Sequence, residues 1–562
     1  MQKVWNLKKY DEEYIKSIVD KYSVSVVMAK LIASRNIPFN EIDNFLNGDI
    51  SYIKDPFLIK DMDKFVKRMS IAKEKCEKVC IYGDYDVDGI TSITIMYNFL
   101  KSFGIDVSYY LPDRLVEGYG INNSALDYIA KTGVTLIITV DCGVSAINEV
   151  EYAKRLGIDI CITDHHECPE KLPDAYLIVN PKQKGDKSFF KMHAGVGVAF
   201  KCLMALAKSQ NMPDESYLKY LDIVAIGTIS DIVPLVDENR IISKYGLQQL
   251  KTTKNIGLKA LLDIVTFKDI DSIMVSFGMA PRINACGRMG NAGFAVELLL
   301  EEDMKKAEKL SERLDKLNSA RQAIEKEIFD QAVKIIEENN MENKSSIILY
   351  DKNWHNGVIG IVASRLVNMF YKPVILLTKE KNVIRGSGRC PLGFSLYDCL
   401  SECKADLIQF GGHELAAGLS ISEDKIAIFK EHFEQVASKR MKDLREPSVD
   451  VDVQIYKKDL NIQLIKDIRG LKPYGQSNPT PLFLYKGLKI QSLRTLKEDK
   501  HLKFTLQDSK SLIDAIAFSL GNRRDEILIG DKIDVIAQVD VNVYNGKRTI
   551  QLLIKDFKKS VI

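Results

Sequence analysis

Short apolar runs alternate with helix-like stretches from about residue 78 onwards, and this rhythm constrains the fold more than any other feature of the chain. Strands that alternate with helical patterns indicate βαβ units, and near-continuous apolar strands indicate a parallel sheet buried on both faces. We therefore predict an α/β fold whose parallel-sheet lobe spans about residues 71–300. The predicted strands are Val79–Tyr82, Val107–Tyr110, Thr135–Val140 and Ile158–Thr163, and the predicted helices are Ile90–Leu100 and Ala146–Leu156.

Three of these strands end in carboxylates or histidines. They lead into Gly83-Asp84-Tyr85-Asp86-Val87-Asp88-Gly89, into Asp141, and into Asp164-His165-His166. The carboxyl ends of parallel strands open onto the ligand crevice, so we expect these side chains at one edge of the sheet. An EF-hand loop is excluded, because it would put Ile95 where a glutamate ligand is required.

Such a set of side chains favours a divalent metal. Asp oxygens with imidazole nitrogen suit Mn²⁺ or Mg²⁺ better than a structural zinc site, and two such ions recur in phosphoester hydrolysis. For any single Asp, capping of the next helix is an equally good interpretation, but capping does not call for adjacent histidines. Asp164 is a candidate to hold a histidine ring. Asp231 follows an apolar helix-like stretch, so the strand rule alone does not place it at this edge.

The rest of the chain divides into four further segments. Residues 1–70 are predicted to be helical and amphipathic, and residues 301–340 to form one long linking helix. Residues 341–446 are predicted to form a second α/β lobe, with strands at Ser346–Tyr350 and Val374–Leu377 and glycine-rich loops at Arg385–Arg389 and Gly411–His413. Residues 447–562 are β-rich, with a hairpin turn at Asn545-Gly546, which favours an OB-type β-barrel.

Charge and cysteine content indicate the kind of partner and the cellular compartment. The net charge is +3, but the residues from Ser448 carry 20 basic against 14 acidic side chains, a surplus of +6 that leaves −3 for the remainder. This asymmetry favours a basic binding module on a more acidic body. None of the ten cysteines forms a C-x-x-C pair. We therefore expect reduced thiols in a cytoplasmic protein, with neither a secretory signal nor a membrane span.

Taken together, Asp86-x-Asp88, Asp141, Asp164-His165-His166 and Asp231 resemble the DHH phosphoesterase superfamily. Within it, the chain is similar to the bacterial exonucleases that degrade single-stranded DNA from the 5′ end. The supporting segments are Pro112-Asp-Arg114, Gly118-Tyr-Gly120, Ser230–Leu235, Pro281–Met289, the DHHA1-like Gly411–Gly418, and Tyr474–Phe483, which resembles the entry to an OB domain. Pro112-Asp-Arg114 departs from the family's usual Pro-Asn-Arg, so no role follows for Asp113.

The resemblance implies a catalytic set and its cofactor. One or two Mn²⁺ or Mg²⁺ ions would be held by Asp84, Asp86, Asp88, Asp141, His165 and Asp231, with His166 near the scissile phosphate. The catalytic residues would be Asp86, Asp88, Asp141, His165, His166 and Asp231. The terminal 5′-phosphate would contact Arg282, Ser387 and Arg389, and the nucleic acid would contact Gly412 and His413.

The leading hypothesis is a single-stranded-DNA exonuclease that releases 5′-mononucleotides in repair and recombination. Its expected partners are single-stranded DNA, a RecQ-type helicase and a single-strand-binding protein. One alternative is a phosphoesterase of short oligonucleotides or cyclic dinucleotides, and the other is a non-catalytic single-strand-binding replication scaffold. Four aromatic residues of the last segment are candidates for base stacking, although core packing is favoured for most of them: Tyr474, Phe483, Tyr485 and Phe504.

Overall fold

A computed structural model of the chain describes residues 3–113, 117–118, 120–381, 383–544 and 547–560. The strands, in chain order, are β1 (Val4–Leu7), β2 (Lys78–Gly83), β3 (Asp106–Tyr110), β4 (Leu136–Val140), β5 (Asp159–Thr163), β6 (Leu177–Val179), β7 (Ile347–Tyr350), β8 (Val374–Glu380), β9 (Val383–Arg389), β10 (Gln409–Gly412), β11 (Ala416–Ile421), β12 (Ser448–Val451), β13 (Val453–Gln454), β14 (Phe483–Leu496), β15 (His501–Asp508), β16 (Ser511–Ala517), β17 (Lys532–Tyr544) and β18 (Lys547–Lys559).

The α-helices are α1 (Glu12–Tyr22), α2 (Val26–Ala33), α3 (Ile42–Asn47), α4 (Met62–Glu74), α5 (Val87–Phe103), α6 (Asn123–Lys131), α7 (Ile147–Arg155), α8 (Gly195–Ser209), α9 (Glu215–Leu218), α10 (Leu221–Ser230), α11 (Asp237–Leu250), α12 (Ile256–Ile264), α13 (Ser272–Met274), α14 (Ala280–Arg288), α15 (Gly293–Leu300), α16 (Met304–Glu338), α17 (Asn356–Phe370), α18 (Leu396–Glu402), α19 (Ile426–Met441) and α20 (Ile462–Gly470). Among the described residues, no helix is long and apolar enough to cross a membrane. The chain forms two compact units, of which one contains Met1–Lys54, Ile232–Tyr245 and Pro447–Ile562, and the other Asp55–Asp231 and Gly246–Glu446.

The predicted parallel sheet is confirmed in the second unit. Its order is β3-β2-β4-β5-β6, and every neighbouring pair is parallel. Cys80, Tyr82 and Ile137 pack with residues of α6 and α7, while α5 and α8 also contact the sheet. Because helices cover both faces, each residue of β4 is buried, which explains why this strand is apolar without alternation.

The long helix that the sequence predicted is α16. It spans 35 residues and packs against α12, α14 and α15 of the sheet lobe and against α17 of the second lobe. Its buried positions recur at three- and four-residue spacing, as the amphipathic pattern requires.

Both segments predicted as glycine-rich loops of the second lobe contribute strands instead. Residues 385–389 belong to β9, and Gly411 and Gly412 belong to β10, in a sheet with the order β10-β11-β9-β8-β7. A Cβ atom on Gly386 would lie 2.6 Å from Leu377, and one on Gly388 would lie 2.7 Å from Leu396. These glycines therefore make room for neighbouring apolar side chains, and they are not the sign of a loop that the sequence pattern suggests.

The OB-type barrel is confirmed in the first unit. Strands β14, β15, β16, β18 and β17 pair in that order, and β17 also pairs with β14, which closes the ring. The hairpin turn predicted at Asn545-Gly546 lies outside the described residues, between the antiparallel strands β17 and β18. The four candidate stacking residues, Tyr474, Phe483, Tyr485 and Phe504, are all buried in the core, as the packing interpretation expected.

The N-terminal segment differs from its helical prediction at its start. Residues Val4–Leu7 form β1, which pairs in parallel with β12 (Ser448–Val451), and the Trp5 Nε1 atom donates to Asp556 Oδ2 at 2.8 Å. Helices α1 and α2 follow and share one hydrophobic cluster with the barrel. A four-residue strand whose partner lies more than 400 residues away has no local signal in the sequence.

Candidate metal centre

The three strand ends meet as predicted. Asp84 follows β2, Asp141 follows β4 and Asp164 follows β5, and these strands are direct neighbours in the sheet. Asp141 has a left-handed backbone with a φ of 59°, which turns the chain sharply away from the strand. The short side chains of Asp and Asn tolerate this conformation better than most others do.

Asp86 and Asp88 lie at the start of α5. Asp86 is the N-cap, and its Oδ1 atom accepts hydrogen bonds from the amides of Asp88 and Gly89 at 2.9 and 3.1 Å. The capping interpretation therefore holds for this one residue. Asp88 is buried and accepts from the amides of Gly195 and Val196, at 2.6 and 2.8 Å, at the N-terminus of α8.

His165 lies at the centre of the carboxylates. Its Nε2 atom is 3.1 Å from Asp141 Oδ1, 3.6 Å from Asp231 Oδ2 and 3.9 Å from Asp88 Oδ2. Although Asp141 Oδ1 and His165 Nε2 are close, their geometry is not that of a hydrogen bond, and neither they nor Asp231 Oδ2, all buried, have a hydrogen-bond partner among the described residues. Buried polar atoms without a partner are rare in folded proteins, and a divalent cation would satisfy all three. The donor set therefore fits a metal.

Asp231 reaches this edge through helix packing. It follows the last residue of α10, which crosses α5 and α8 so closely that a Cβ atom on Gly227 would collide with Thr91 and would lie 2.7 Å from Val196 Cγ1. The strand rule does not place Asp231, because this residue follows a helix, and the glycine at position 227 is what lets that helix come close. The signal was present in the sequence as a glycine inside an apolar helix.

Within the part of the chain that the structure describes, potential ligand atoms form three overlapping groups. One group contains Asp84, Asp86 and Asp141, another contains Asp88, His165 and Asp231, and the third contains Asp141, His165 and His166. Within each group the ligand atoms lie within 4.8 Å of one another. Asp141 belongs to two groups, and a carboxylate can bridge two metal ions, so the arrangement can serve two neighbouring cations.

Burial and mutual repulsion set the protonation of this cluster. Desolvation, followed by the charges of neighbouring carboxylates, raises the pKa values of Asp88 and Asp141 well above the usual range. Desolvation and the charge of Asp86 raise the pKa of Asp231 to about 7. Desolvation also lowers the pKa of His165 to about 4, so its ring is neutral near pH 7, as a metal ligand must be.

Asp164 holds the ring of His166 and not that of His165. The Nδ1 atom of His166 lies 2.7 Å from Asp164 Oδ1, and the amide of Val144 donates to the other Asp164 oxygen at 2.9 Å. Although burial disfavours the charged imidazole, the bond to Asp164 and its charge raise the pKa of His166. His165 is oriented by a hydrogen bond with the backbone of His193. The sequence predicted an orienting role for Asp164 but not which ring it serves.

Helix α14 braces the Asp84–Asp88 loop, a role that the sequence reasoning missed. The Oδ1 atom of Asn284 accepts from the amide of Val87 at 3.2 Å. A Cβ atom on Gly287 would lie 2.7 Å from the carbonyl oxygen of Tyr85, so the helix approaches the loop closely. Within the segment Pro281–Met289, the resemblance to the family assigns a role to Arg282 but none to Asn284 or Gly287.

The candidate phosphate contacts divide into two places. Ser387 and Arg389 lie on the same face of β9, and the Nη1 atom of Arg389 donates to Ser387 Oγ at 3.1 Å. Arg282 is on α14, where its Nε and Nη2 atoms contact Asp315 Oδ1 at 2.9 and 2.8 Å and its Nη1 atom donates to the Gly278 carbonyl. Arg282 would have to share its guanidinium between Asp315 and a phosphate.

Gly412 and His413 lie at an exposed end of β10. The amide of His413 donates to the carbonyl of Ala416 at 2.8 Å, which closes a tight turn. Gly412 has a φ of 141°, and a Cβ atom there would collide with the same carbonyl. Both residues are exposed, as a nucleic-acid contact requires.

Comparison with known proteins covers nearly the whole chain. The model of the DHH family N-terminal domain matches residues 78–228, that of the DHHA1 domain matches residues 343–439, and that of the RecJ OB domain matches residues 451–556. The single-stranded-DNA-specific exonuclease RecJ of Bacillus subtilis is 37% identical, over 98% of this chain and 70% of that protein. RecJ of Haemophilus influenzae is 33% identical, over 94% of this chain and 99% of that protein.

A solved relative has the same fold over the full length. The crystal structure of Thermus thermophilus RecJ with Mn²⁺ superposes with a TM-score of 0.86 at 27% identity, covering 100% of this chain and 80% of that one. The structure of the same protein with Mg²⁺ gives a TM-score of 0.81 at 26% identity. The α/β class, the long helix and the barrel predicted from the sequence are confirmed. The chain therefore belongs to the RecJ family of DHH proteins.

Proposed function

We propose that this protein is a metal-dependent exonuclease that degrades single-stranded DNA from the 5′ end and releases 5′-mononucleotides. The observation that carries the proposal is the cluster of buried ligand atoms without hydrogen-bond partners: Asp141 Oδ1, His165 Nε2 and Asp231 Oδ2. Relatives of this chain are named single-stranded-DNA-specific exonucleases, and one has been solved with Mn²⁺ and with Mg²⁺.

We propose that Mn²⁺ or Mg²⁺ is held by six residues: Asp84, Asp86, Asp88, Asp141, His165 and Asp231. When bound, the metal would supply Lewis acidity for the attacking water and for the scissile phosphate. The protein orients this ligand set through the bonds of Asp88 to the N-terminus of α8 and of His165 to the His193 backbone. His166, held by Asp164, would place a positively charged ring beside the scissile phosphate.

The direction of degradation follows from a contact with the strand's terminal phosphate. We assign that contact to Arg282, Ser387 and Arg389, because a guanidinium fork suits a phosphate better than any other side chain does. Gly412 and His413 would contact the strand at their exposed turn. A 5′-terminal phosphate held at a set distance from the metal would give one nucleotide per cleavage.

We also propose a role for each segment of the chain. Residues 71–300 would form the catalytic domain, 301–340 the linking helix, 341–446 the DHHA1 domain and 447–562 the nucleic-acid-binding barrel, with residues 1–70 as an N-terminal segment. The barrel favours a long strand as substrate over a cyclic dinucleotide. The setting we propose is cytoplasmic DNA repair and recombination, together with a RecQ-type helicase and a single-strand-binding protein.

A nuclease assay with end-blocked strands tests this function. Single-stranded DNA with a blocked 3′ end should be degraded to mononucleotides in Mn²⁺, whereas a blocked 5′ end and a fully paired duplex should protect. Degradation from the 3′ end, or an equal rate on the duplex, would contradict the proposal. His166→Gln should lower kcat and leave Mn²⁺ affinity nearly unchanged, which separates its role from that of the ligands.

A further inference from the structure

We propose that Gly360 is a positioning residue for the terminal-phosphate subsite, because it allows α17 to lie directly against Ser387 and Arg389. The inference rests on the proposed function, which assigns these two side chains to the 5′-phosphate. Gly360 touches neither the metal centre nor the substrate in this scheme. Its role would be to determine where the two phosphate contacts stand.

The two faces of β9 are divided between core and subsite. Gly386 and Gly388 face apolar side chains of the lobe's core, with the Cβ positions 2.6 Å from Leu377 and 2.7 Å from Leu396. Ser387 and Arg389 alternate with them and so share the opposite face. Helix α17 packs on β9, and Gly360 is the position of α17 that meets this pair.

The space above Ser387 and Arg389 leaves no room for a side chain on the helix. A Cβ atom on Gly360 would lie 2.8 Å from Ser387 Oγ and 3.2 Å from Arg389 Nη2. The next nearest atom is Ser387 Cβ at 3.6 Å, which is an ordinary contact. All three nearest atoms belong to the phosphate pair, so a methyl group would displace the ends of these two side chains and leave the strand in place.

Ser387 and Arg389 would move together. The Nη1 atom of Arg389 donates to Ser387 Oγ at 3.1 Å and to the Gly388 carbonyl at 2.7 Å. Rotating the serine hydroxyl away from a new methyl group would break the first of these bonds. The guanidinium would then lose one of the contacts that hold its orientation for a phosphate.

Helix α17 is also in close contact with α14 at its N-terminal turn, which opposes a movement of the helix. The Nη1 atom of Arg288 donates to the Gly357 carbonyl at 3.2 Å, and a Cβ atom on Gly357 would lie 2.5 Å from the Arg288 carbonyl oxygen. Arg288 ends α14, the helix that carries Arg282 and braces the metal loop. We therefore expect a clash at residue 360 to be absorbed by the side chains that the new methyl group would meet, Ser387 and Arg389.

A purely structural role for Gly360 makes a different prediction. Alanine is favoured over glycine in a helix interior by about 1 kcal/mol. If only the helix mattered, Gly360→Ala would be at least as stable as the parent protein and kinetically identical to it. A positioning role predicts retained stability with a selective loss of the preference for a 5′-phosphate.

The test compares kinetics on two substrates, with the full chain in Mn²⁺. We expect Gly360→Ala to raise KM for 5′-phosphorylated single strands roughly ten- to hundred-fold, the range for one hydrogen bond to a charged group. Its kcat, its KM for 5′-hydroxyl strands, its Mn²⁺ affinity and its melting temperature should change little. The matched control is Gly470→Ala at the last residue of α20, where an added Cβ atom would lie 3.9 Å from Met28 Cε, an ordinary contact, and this variant should behave as the parent.

A double variant isolates the contact itself. Ser387→Ala removes the hydroxyl that Gly360→Ala would displace, so Gly360→Ala/Ser387→Ala should lose no more than Ser387→Ala alone. Additive losses would overturn the inference. If Gly360→Ala failed to fold while the double variant folded, that rescue would itself support the contact.

The outcome for the parent protein separates the two proposals. A parent without any preference for 5′-phosphorylated strands would refute the proposed terminal-phosphate contact, and the inference would fall with it. A parent with that preference, together with a Gly360→Ala variant that keeps it, would refute the inference alone and leave the proposed function intact.

Discussion

Asp141 occupies the most strained position of the metal centre. Its backbone is left-handed, its carboxyl group is buried among other carboxylates, and one of its oxygens has no hydrogen-bond partner among the described residues. Each of these features destabilises a protein without a cation. Residues of this kind lower the stability of the protein because they serve its function. Replacing such a residue often stabilises the protein and abolishes its activity.

Asp141→Asn should therefore have opposite effects on activity and stability. Asparagine keeps the shape and tolerates the left-handed backbone, but it removes a charge. We expect kcat to fall by at least about a hundred-fold, since even an orienting partner of a metal ligand contributes ten- to hundred-fold. In EDTA, the free energy of unfolding should rise by on the order of 1 kcal/mol. The measurements are single-strand cleavage in Mn²⁺ and urea unfolding in EDTA, with Asp141→Ala as the strained comparison.

Cleavage by Asp141→Asn near the parent rate would refute the assignment of this residue as a ligand. Binding of single-stranded DNA should persist in the same variant, because the proposed phosphate contacts lie elsewhere. A joint loss of binding and cleavage would instead point to a disturbed fold.

The pH dependence of Mn²⁺ binding should report the raised carboxyl pKa values. The pKa of Asp231 is about 7, so below that pH a proton occupies a ligand that the metal needs. Affinity should fall by about ten-fold per pH unit below pH 7 for each proton that the metal must displace. His165 contributes only near its pKa of about 4. Calorimetry in buffers of different ionisation enthalpy would count the protons released, and Asp231→Asn should release fewer.

At the scale of elements, the packing of α10 against α5 places the last predicted ligand, Asp231, in the metal centre. Asp231 is the only one of the six predicted ligands that does not lie in a segment directly after β2, β4 or β5. It depends on the close approach at Gly227, where a side chain would meet Thr91 and Val196. A shift of this helix would move one ligand and leave the others in place.

Gly227→Ala should weaken both the fold and the metal site. Overpacking at a tight helix crossing costs about 1–3 kcal/mol, which exceeds the gain in helix propensity. We expect a lower free energy of unfolding and a several-fold weaker Mn²⁺ affinity, measured by urea unfolding and metal titration. Adding Thr91→Ala should restore part of both. An unchanged metal affinity would show that α10 is not needed to place Asp231.

The elements that the sequence predicted are those with a local signature. Strands β2, β4 and β5 are continuous apolar runs, and the rule for parallel strand ends brought Asp84, Asp141 and Asp164 together without any knowledge of the structure. The predictions are wrong where the residues that determine an element lie far from it in the sequence. Glycines of β9 resemble a loop until Leu377 and Leu396 are seen to need their space, and β1 has no pattern apart from its partner β12.

Some contacts in the metal centre have no signature in the sequence. Asn284 and the backbone of His193 act through single hydrogen bonds to Val87 and His165, and no residue pattern announces such bonds. The sequence also does not indicate which histidine ring Asp164 holds, because His165 and His166 both follow it directly in the chain.

At the scale of the whole molecule, the barrel unit is assembled from three separate stretches of chain. Buried Arg240, in the middle stretch, donates from Nε to the Phe45 carbonyl at 2.7 Å and from Nη1 to the Leu471 carbonyl at 2.9 Å. Buried Arg35 donates to Asn478 Oδ1 at 2.7 Å. The hydrogen bonds of these two side chains join all three stretches, so none of the stretches forms this core alone.

Deleting residues 447–562 should therefore destabilise the rest of this unit, in addition to weakening the proposed binding of DNA. Ile18, Leu31 and Ile32 are fully buried in the cluster shared with the barrel and would become exposed. We expect the truncated chain to aggregate and to bind a hydrophobic dye, as measured by size-exclusion chromatography and fluorescence. A monodisperse truncation with an unchanged melting profile would contradict the shared core.

The pairing of β1 with β12 has a consequence for how the protein is made. Residues 4–7 find their partners at residues 448–451, and ribosomes add about 5–20 residues per second. Roughly 20–90 s must therefore pass between the synthesis of the two strands. During that interval the apolar faces of α1 and α2 have no barrel to cover them, which makes this segment a natural client for chaperones on the ribosome.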